Sequence, residues 1–346
     1  MGVGATFTRS ATAAVGAVLA ILLTWRAATA QTVPDPDAAP RDPHSVLTLQ
    51  LENDLFAGTD RYYTNGLRLT WVSPSEPPRV FGPVERFAAP FLGDGAQLRW
   101  GLSAGQNIYT PQDTDAQDPD PHDRPYAAWL YGAATLAAYT DTQLNRIELQ
   151  VGVVGPWAQG EEVQNNVHDL IEDRPARGWD YQLKNEPGVL LLLDRAWRAR
   201  KVLSVGDDFG VDASPYVTAA LGNINTSAAA GLSLRLGQSL DADFGAPRIR
   251  PTLGGSAFFD KRDGFGWYLF AGVEGRAVAH DIFLDGNTFR SSRSVDKKYF
   301  VGDFQAGASV FWGSTRLTYT FAMRTPEFDG QNGYARFGAL SLSFSF

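Results

Sequence analysis

The sequence predicts an all-β fold: a transmembrane antiparallel β-barrel of about 12 strands with a short helix in an extracellular loop. Three observations predict it. Segment after segment alternates apolar and polar residues with a period of two. Glycine and aromatic residues are abundant together, with Gly 35 and aromatics 12%, while a mean hydropathy of −0.19 is too low for a bundle of membrane helices. The chain also stops at Phe346, on the apolar side of the last alternating run, Leu340, Leu342, Phe344 and Phe346.

Taken from the N-terminus, residues 1–30 read as an export signal. Arg9 is followed by the apolar run Ala11 to Trp25, and Ala28-Thr29-Ala30 offers small residues for cleavage before Gln31. The run is short for a membrane span. Residues 31–44 carry four prolines and form a flexible lead-in. Residues 45–346 are then one domain. Cys 0 removes disulfides, thiol nucleophiles and thiolate metal sites. A net charge of −8 without a basic stretch argues against nucleic acid as a partner.

The twelve predicted strands are 45–54, 64–73, 98–109, 126–139, 144–154, 187–198, 211–223, 227–238, 265–280, 299–312, 315–324 and 335–346. In the first, Leu47, Leu49 and Leu51 alternate with Thr48, Gln50 and Glu52. In the second, Leu67, Leu69 and Trp71 alternate with Arg68 and Thr70, and in the fifth Leu149 and Val151 alternate with Glu148 and Gln150. A soluble sandwich alternates too, but Glu148, Arg235 and Glu274 would lie in its core only if its apolar residues faced solvent. A barrel in lipid turns these charged residues to its interior and leaves the apolar side against hydrocarbon. A thirteenth candidate, 250–260, is interrupted by Pro251 and a Gly pair and is demoted. Trp71, Trp100, Trp129, Trp267 and Trp312 near strand ends are expected in interfacial girdles. The terminal alternating strand ending in Phe is similar to the signal read by the outer-membrane barrel-assembly machinery.

An even strand count puts both termini in the periplasm, so alternate connections share the extracellular rim. Six polar clusters fall there: Glu52-Asn53-Asp54, Tyr63-Thr64-Asn65-Gly66, Tyr109-Thr110-Pro111, Asp123-Arg124-Pro125-Tyr126, Gln164 to His168 and Asn185-Glu186-Pro187-Gly188. The long stretch Gly155 to Asn185 contains a helix-spaced segment, Glu161 to Asp173, with Val163, Val167 and Leu170-Ile171 as its apolar stripe. Gln164 and His168, four apart, share a face.

In order along the chain, END, YTNG, YTP, DRPYA, GPW followed by Q-x-x-x-H, and GWDYQLKNEP resemble the LpxR family of outer-membrane lipid A 3′-O-deacylases. The resemblance covers essentially the whole mature chain. It implies a twelve-stranded barrel and calcium-dependent release of the 3′-linked acyloxyacyl chain of lipid A at the outer leaflet, with Ca²⁺ as cofactor and lipopolysaccharide as substrate. It places the family's helix histidine on His168, the glutamine before it on Gln164, the strand-end Asn-Asp pair on Asn53 and Asp54, and the threonine opening the second strand on Thr64. An acidic partner of the histidine falls on Glu172 or Asp173. The first loop departs from the family in being short.

The residues themselves suit ester hydrolysis, which needs a base for water and a positive centre for the oxyanion. Imidazole ordinarily titrates near neutral pH, so His168 is the expected base, with His122 in the acidic loop as its rival. Asp54 can ligate a hard cation through oxygen, with carbonyls and substrate oxygens completing the shell. Asn53 and Thr64 orient, Gln164 fixes the histidine or water, and Glu172 sets the imidazole tautomer. Arg124 and Lys184 either bind lipid phosphates or pair with nearby carboxylates. No serine or cysteine nucleophile motif is present, which favours attack by water. The competing expectations are a calcium-dependent outer-membrane phospholipase, and a non-enzymatic barrel for transport or adhesion.

Overall fold

A computed structural model describes residues 42–54, 62–75, 83, 91, 96–170, 172, 174–198, 203–205, 209–245, 257–261 and 264–346. The expected export signal and nearly all of the lead-in lie outside these residues. Twelve long strands alternate up and down: β1 (Val46–Asn53), β2 (Tyr62–Val72), β3 (Gln97–Thr110), β4 (Ala127–Tyr139), β5 (Gln143–Val154), β6 (Glu186–Trp197), β8 (Phe209–Gly222), β9 (Asn225–Gln238), β10 (Phe265–Asp281), β11 (Phe300–Trp312), β12 (Thr315–Arg324) and β13 (Ala335–Ser345). The three-residue β7 (Leu203–Val205) pairs antiparallel with the start of β8. Consecutive long strands pair antiparallel, β6 pairs with β8, and β1 pairs with β13 from Val46↔Ser345 to Asn53↔Gly338. The sheet closes into a twelve-stranded barrel, which removes the open edges a flat sheet would expose. Predicted and observed strand limits differ by at most two residues.

The period of two sorts the side chains as expected. Leu47, Leu49 and Leu51 are exposed on the outer wall, while Thr48, Gln50 and Glu52 are buried inside. Arginine-carboxylate pairs line the interior. Arg68 meets Glu148 at 2.7 Å and Arg146 meets Asp194 at 2.7 Å. Arg276 bridges Glu274 and Asp303, and Arg324 holds the other oxygen of Asp303 at 2.7 Å. Enclosed charges persist only when paired in this way.

Both ends of the barrel are filled. At the end that holds the termini, Leu240, Ala242, Phe244, Phe258 and Phe259 fold inward and pack with Val46, Tyr268 and Phe311. Asp243 is carried in with them and accepts from Arg235 at 2.7 Å and Arg316 at 2.9 Å. At the opposite rim the one-turn helix α2 (Ile282–Asp285) sets Ile282, Phe283 and Leu284 among Tyr109, Trp129, Phe328 and Phe337. Beneath it a cavity of about 30 Å³, lined by Asn107, Gln150, Asp281 and Glu327, has room for a water molecule and little more.

One expectation needs correction. Trp100 and Trp129 are buried rather than interfacial: Trp129 points inward onto Gln150 and Tyr131, and Trp100 lies in a cluster with Phe91. Only Trp312 of the five is strongly exposed. The demoted 250–260 segment lies largely outside the described residues, and its described part, 257–260, forms no strand. Alternation alone does not say which aromatic residues a plug will cover.

Candidate active site

The connections leaving β1, β3, β5, β8, β10 and β12 share the rim opposite the termini. The long one, after β5, does not fold over the barrel mouth. Gly155 takes φ +96°, a left-handed conformation that glycine adopts without strain, and its N–H donates to the Ala128 carbonyl at 3.2 Å. A short 3₁₀ turn, Pro156–Ala158, and the helix α1 (Gly160–Leu170) follow, with Glu161 and Glu162 in the helix's first turn, where acidic side chains favour the positive helix end.

The helix lies on the outside of the barrel wall. Along β3 and β4 the outward positions Leu102 and Leu130 are 58% and 40% exposed, yet Ile108 and Ala128, in the same alternation, are 1% and 0% exposed. What covers them is the β5–β6 connection: Ile108 and Ala128 cluster with Ala158, Ala176, Tyr126 and Trp179. Gly160 is the closest approach, since a Cβ there would sit 2.5 Å from the Ala128 Cβ and 2.5 Å from the Trp179 ring. The face of α1 turned to the wall is Gly160, Gln164 and His168. The expected apolar stripe is therefore not the buried one: Val163 and Val167 lie at its flank, and Leu170 is 83% exposed.

His168 is buried, and its Nδ1 lies 2.5 Å from the carbonyl oxygen of Arg174. A carbonyl can only accept, so Nδ1 carries the hydrogen and Nε2 of the neutral ring holds the lone pair. Glu172, expected to set this tautomer, is exposed with φ 59° and is replaced in that role by a main-chain oxygen two residues further on. Its alternative, Asp173, lies outside the described residues. Gln164 is buried one turn before His168, and its Oε1 accepts from the Trp179 indole N–H at 3.0 Å.

The strand-end residues stand along the adjoining arc of the rim, because β1, β2, β3 and β4 are consecutive neighbours. Asn53 Nδ2 donates to the Thr64 carbonyl at 2.8 Å. Thr64 occupies the irregularity in the β2–β3 pairing, where the register shifts between Tyr63 and Asn65, and its hydroxyl meets that of Thr110 at 2.6 Å. Asp54, the residue after β1, is fully buried. Among the described residues no group of three His, Asp or Glu gathers as a metal-ligand set.

Two predicted phosphate contacts lie elsewhere. Arg124 is buried in the barrel mouth, with its guanidinium over the Tyr109 ring at 4.9 Å and Nη1 3.4 Å from Glu327. The paired-carboxylate reading holds for it. Lys184 is exposed, and its main chain is tied to Asn287 at 2.8 Å in both directions. The rival base His122 is a solvated loop residue beside Asp120. In the same loop, burial pushes the Asp123 carboxyl above its ordinary range, although the N–H groups of Gln112 and Arg124 oppose it. Sequence reasoning missed Thr110, Tyr126, Trp179 and the Arg174 carbonyl, although the quoted motifs YTP, DRPYA and GWDYQLKNEP contain the first three.

The family described as "Outer membrane protein LpxR" matches residues 17–346. Among solved structures, LpxR from Salmonella typhimurium superposes with a TM-score of 0.70 at 22% identity, covering 87% of this chain and 100% of that one. Weaker likenesses, to the β domain of the Bordetella autotransporter BrkA (TM-score 0.43, 10% identity, 88% of this chain and 99% of that one) and to an outer-membrane channel from Pseudomonas putida F1 (0.41, 11%, 91% and 100%), have no bearing on the site. No curated protein matches the sequence.

Proposed function

The chain belongs to the LpxR family of outer-membrane proteins, and from that premise we propose that it is a lipid A 3′-O-deacylase, a carboxylic ester hydrolase facing the extracellular side. The observation that carries the reading is the position of His168. It is buried on the same helix face as Gly160, which packs against the outer wall of a filled barrel, on the side where lipid, not lumen, would deliver substrate. A transport role is disfavoured by the same packing, since ion pairs occupy the interior and apolar clusters rich in aromatic residues fill both ends.

In this reading His168 Nε2 takes a proton from water while the water oxygen bonds to the ester carbonyl carbon. The carbonyl oxygen gains the negative charge. Collapse of the tetrahedral intermediate breaks the bond to the 3′ oxygen of the sugar, which takes the proton back from the imidazolium, leaving a free fatty acid and a 3′ hydroxyl. The Arg174 carbonyl holds the ring in the tautomer this requires. Asn53 and Thr64 keep the ends of β1 and β2 in register, and Lys184 is exposed to meet a lipid phosphate.

Ca²⁺ fits the donors present only in part. Asp54 is a buried carboxylate suited to a hard cation, and since no group of three His, Asp or Glu gathers among the described residues, carbonyls, water and substrate oxygens would help to complete the shell. When bound there, the ion would supply positive charge near the ester. The exposed outer leucines fit insertion by the barrel-assembly machinery.

Lipid A mass spectra from cells with and without the chain test the proposal. Loss of the 3′-linked acyloxyacyl chain supports it. Unchanged lipid A with accumulating lysophospholipid would replace it with a phospholipase.

A further inference from the structure

The tryptophan of the GWDYQLKNEP segment has no part in the chemistry above, yet it is among the most constrained side chains in the molecule. Trp179 is 1% exposed. Its ring lies 4.8 Å from that of Tyr126. Two glycines leave it room: a Cβ on Gly160 would come within 2.5 Å of the indole, and one on Gly178 within 2.5 Å of Tyr126. An indole held this tightly presents its single N–H in one direction, to Gln164 Oε1 at 3.0 Å.

That bond has a chemical consequence. Indole N–H can only donate, so it must face the amide oxygen of Gln164 and not the NH₂ group. The two ends of a glutamine amide are otherwise interchangeable in shape, and only such a partner decides between them. With Oε1 held by Trp179, Nε2 is turned to the other side. There, buried, it has no hydrogen-bond acceptor among the described residues. Buried amide N–H groups almost always have partners, and an exception calls for an explanation, a catalytic role or a bound water among them. His168 lies one turn along the same buried stripe.

We propose that Trp179 is a positioning residue that sets the Gln164 amide so that its NH₂ donates to the ester carbonyl oxygen as negative charge builds there. This rests on the ester-hydrolase reading above. Gln164 is then the catalytic donor, and Trp179 acts only through it. Removing one such donor costs roughly 10²- to 10³-fold in kcat.

The test is a double-mutant cycle on the full-length barrel, assayed with lipid A in mixed micelles, with kcat and KM read separately and folding checked by heat-modifiable migration. Trp179→Phe keeps the packing and removes the N–H. It is expected to lower kcat by about 10- to 100-fold with KM little changed, and to cost nothing further in a Gln164→Ala background. Unchanged kcat in Trp179→Phe, or full additivity of the two losses, overturns the proposal. Should Trp179→Phe fail to fold, Gln164→Glu decides: it still accepts from the indole but no longer donates, so it must be as impaired as Gln164→Ala, and activity near wild type sinks the idea. If the wild type leaves lipid A intact, the deacylase reading falls, and the same cycle is run on a phospholipid ester. Non-additivity there supports the positioning role, while additivity or a wild type inactive on both esters overturns it.

Discussion

His168 shows how far one residue can be read from a sequence and where the reading stops. Spacing placed it on a helix with Gln164, and the rim topology placed that helix near the ends of β1 and β2. What spacing could not give is the partner of its Nδ1, because a main-chain carbonyl six residues away leaves no residue-type signal. Glu172 was the natural candidate by side-chain chemistry, and the αL turn at that residue carries it into solvent instead. His168→Ala is expected to lower ester hydrolysis by about 10²- to 10⁴-fold, the usual worth of a general base, while the barrel still shows heat-modifiable migration. Glu172→Ala is expected to keep activity within about 3-fold of wild type, since its replacement leaves the Arg174 carbonyl in place. Comparable losses in both variants would return the orienting role to the carboxylate. Asp54→Ala, assayed across a calcium titration, should lose more of its calcium activation than of its folding. A wild type indifferent to EDTA removes the metal altogether.

At the level of elements, strands were legible and their dressing was not. Alternation in β1, β2 or β5 is dictated by the need for one dry and one wet face, so Leu49 and Gln50 sort themselves without knowledge of their neighbours. The face of α1 is different. A hydrophobic stripe was the reasonable expectation, yet the buried stripe is Gly160, Gln164 and His168, because this helix packs a polar site against a wall and not an apolar core. The chain segment before β1 gives a second case. Asp42 pairs with Arg99 at 2.5 Å and accepts from the His44 N–H at 2.9 Å. Burial alone would raise its carboxyl, but these bonds outweigh burial and hold it below the ordinary 3.8. A depressed carboxylate stabilises the fold above its ordinary titration range and loses that contribution as pH falls through the folded value. Asp42→Asn should therefore narrow the gap between neutral and acid stability, measured as midpoints of urea unfolding in detergent at pH 7 and below pH 4. An unchanged gap would show that the Asp42–Arg99 pair contributes nothing to docking the N-terminal segment.

The whole molecule poses a question that no single element answers: why a barrel would fill its own interior. Twelve strands leave space for a narrow channel, but here buried arginines and carboxylates occupy it, and Asp243 enters from the connection after β9 to hold Arg235 and Arg316 together. Such a network adds little net stability over apolar packing, whereas removing one member leaves charges buried without compensation. A transporter would gain nothing from this arrangement. An enzyme that works on its outer wall gains a rigid support for β3 and β4, against which α1 holds the imidazole. The reading predicts that the purified barrel in planar bilayers passes no resolvable ionic current, with or without the His168→Ala substitution. Asp243→Ala should cost about 3–5 kcal/mol of barrel stability, and activity should fall in step with the folded fraction and not before it. Steady conductance in the wild-type protein would mean that the interior opens in the membrane. The outer-wall site would then have to be weighed against one reached through the lumen.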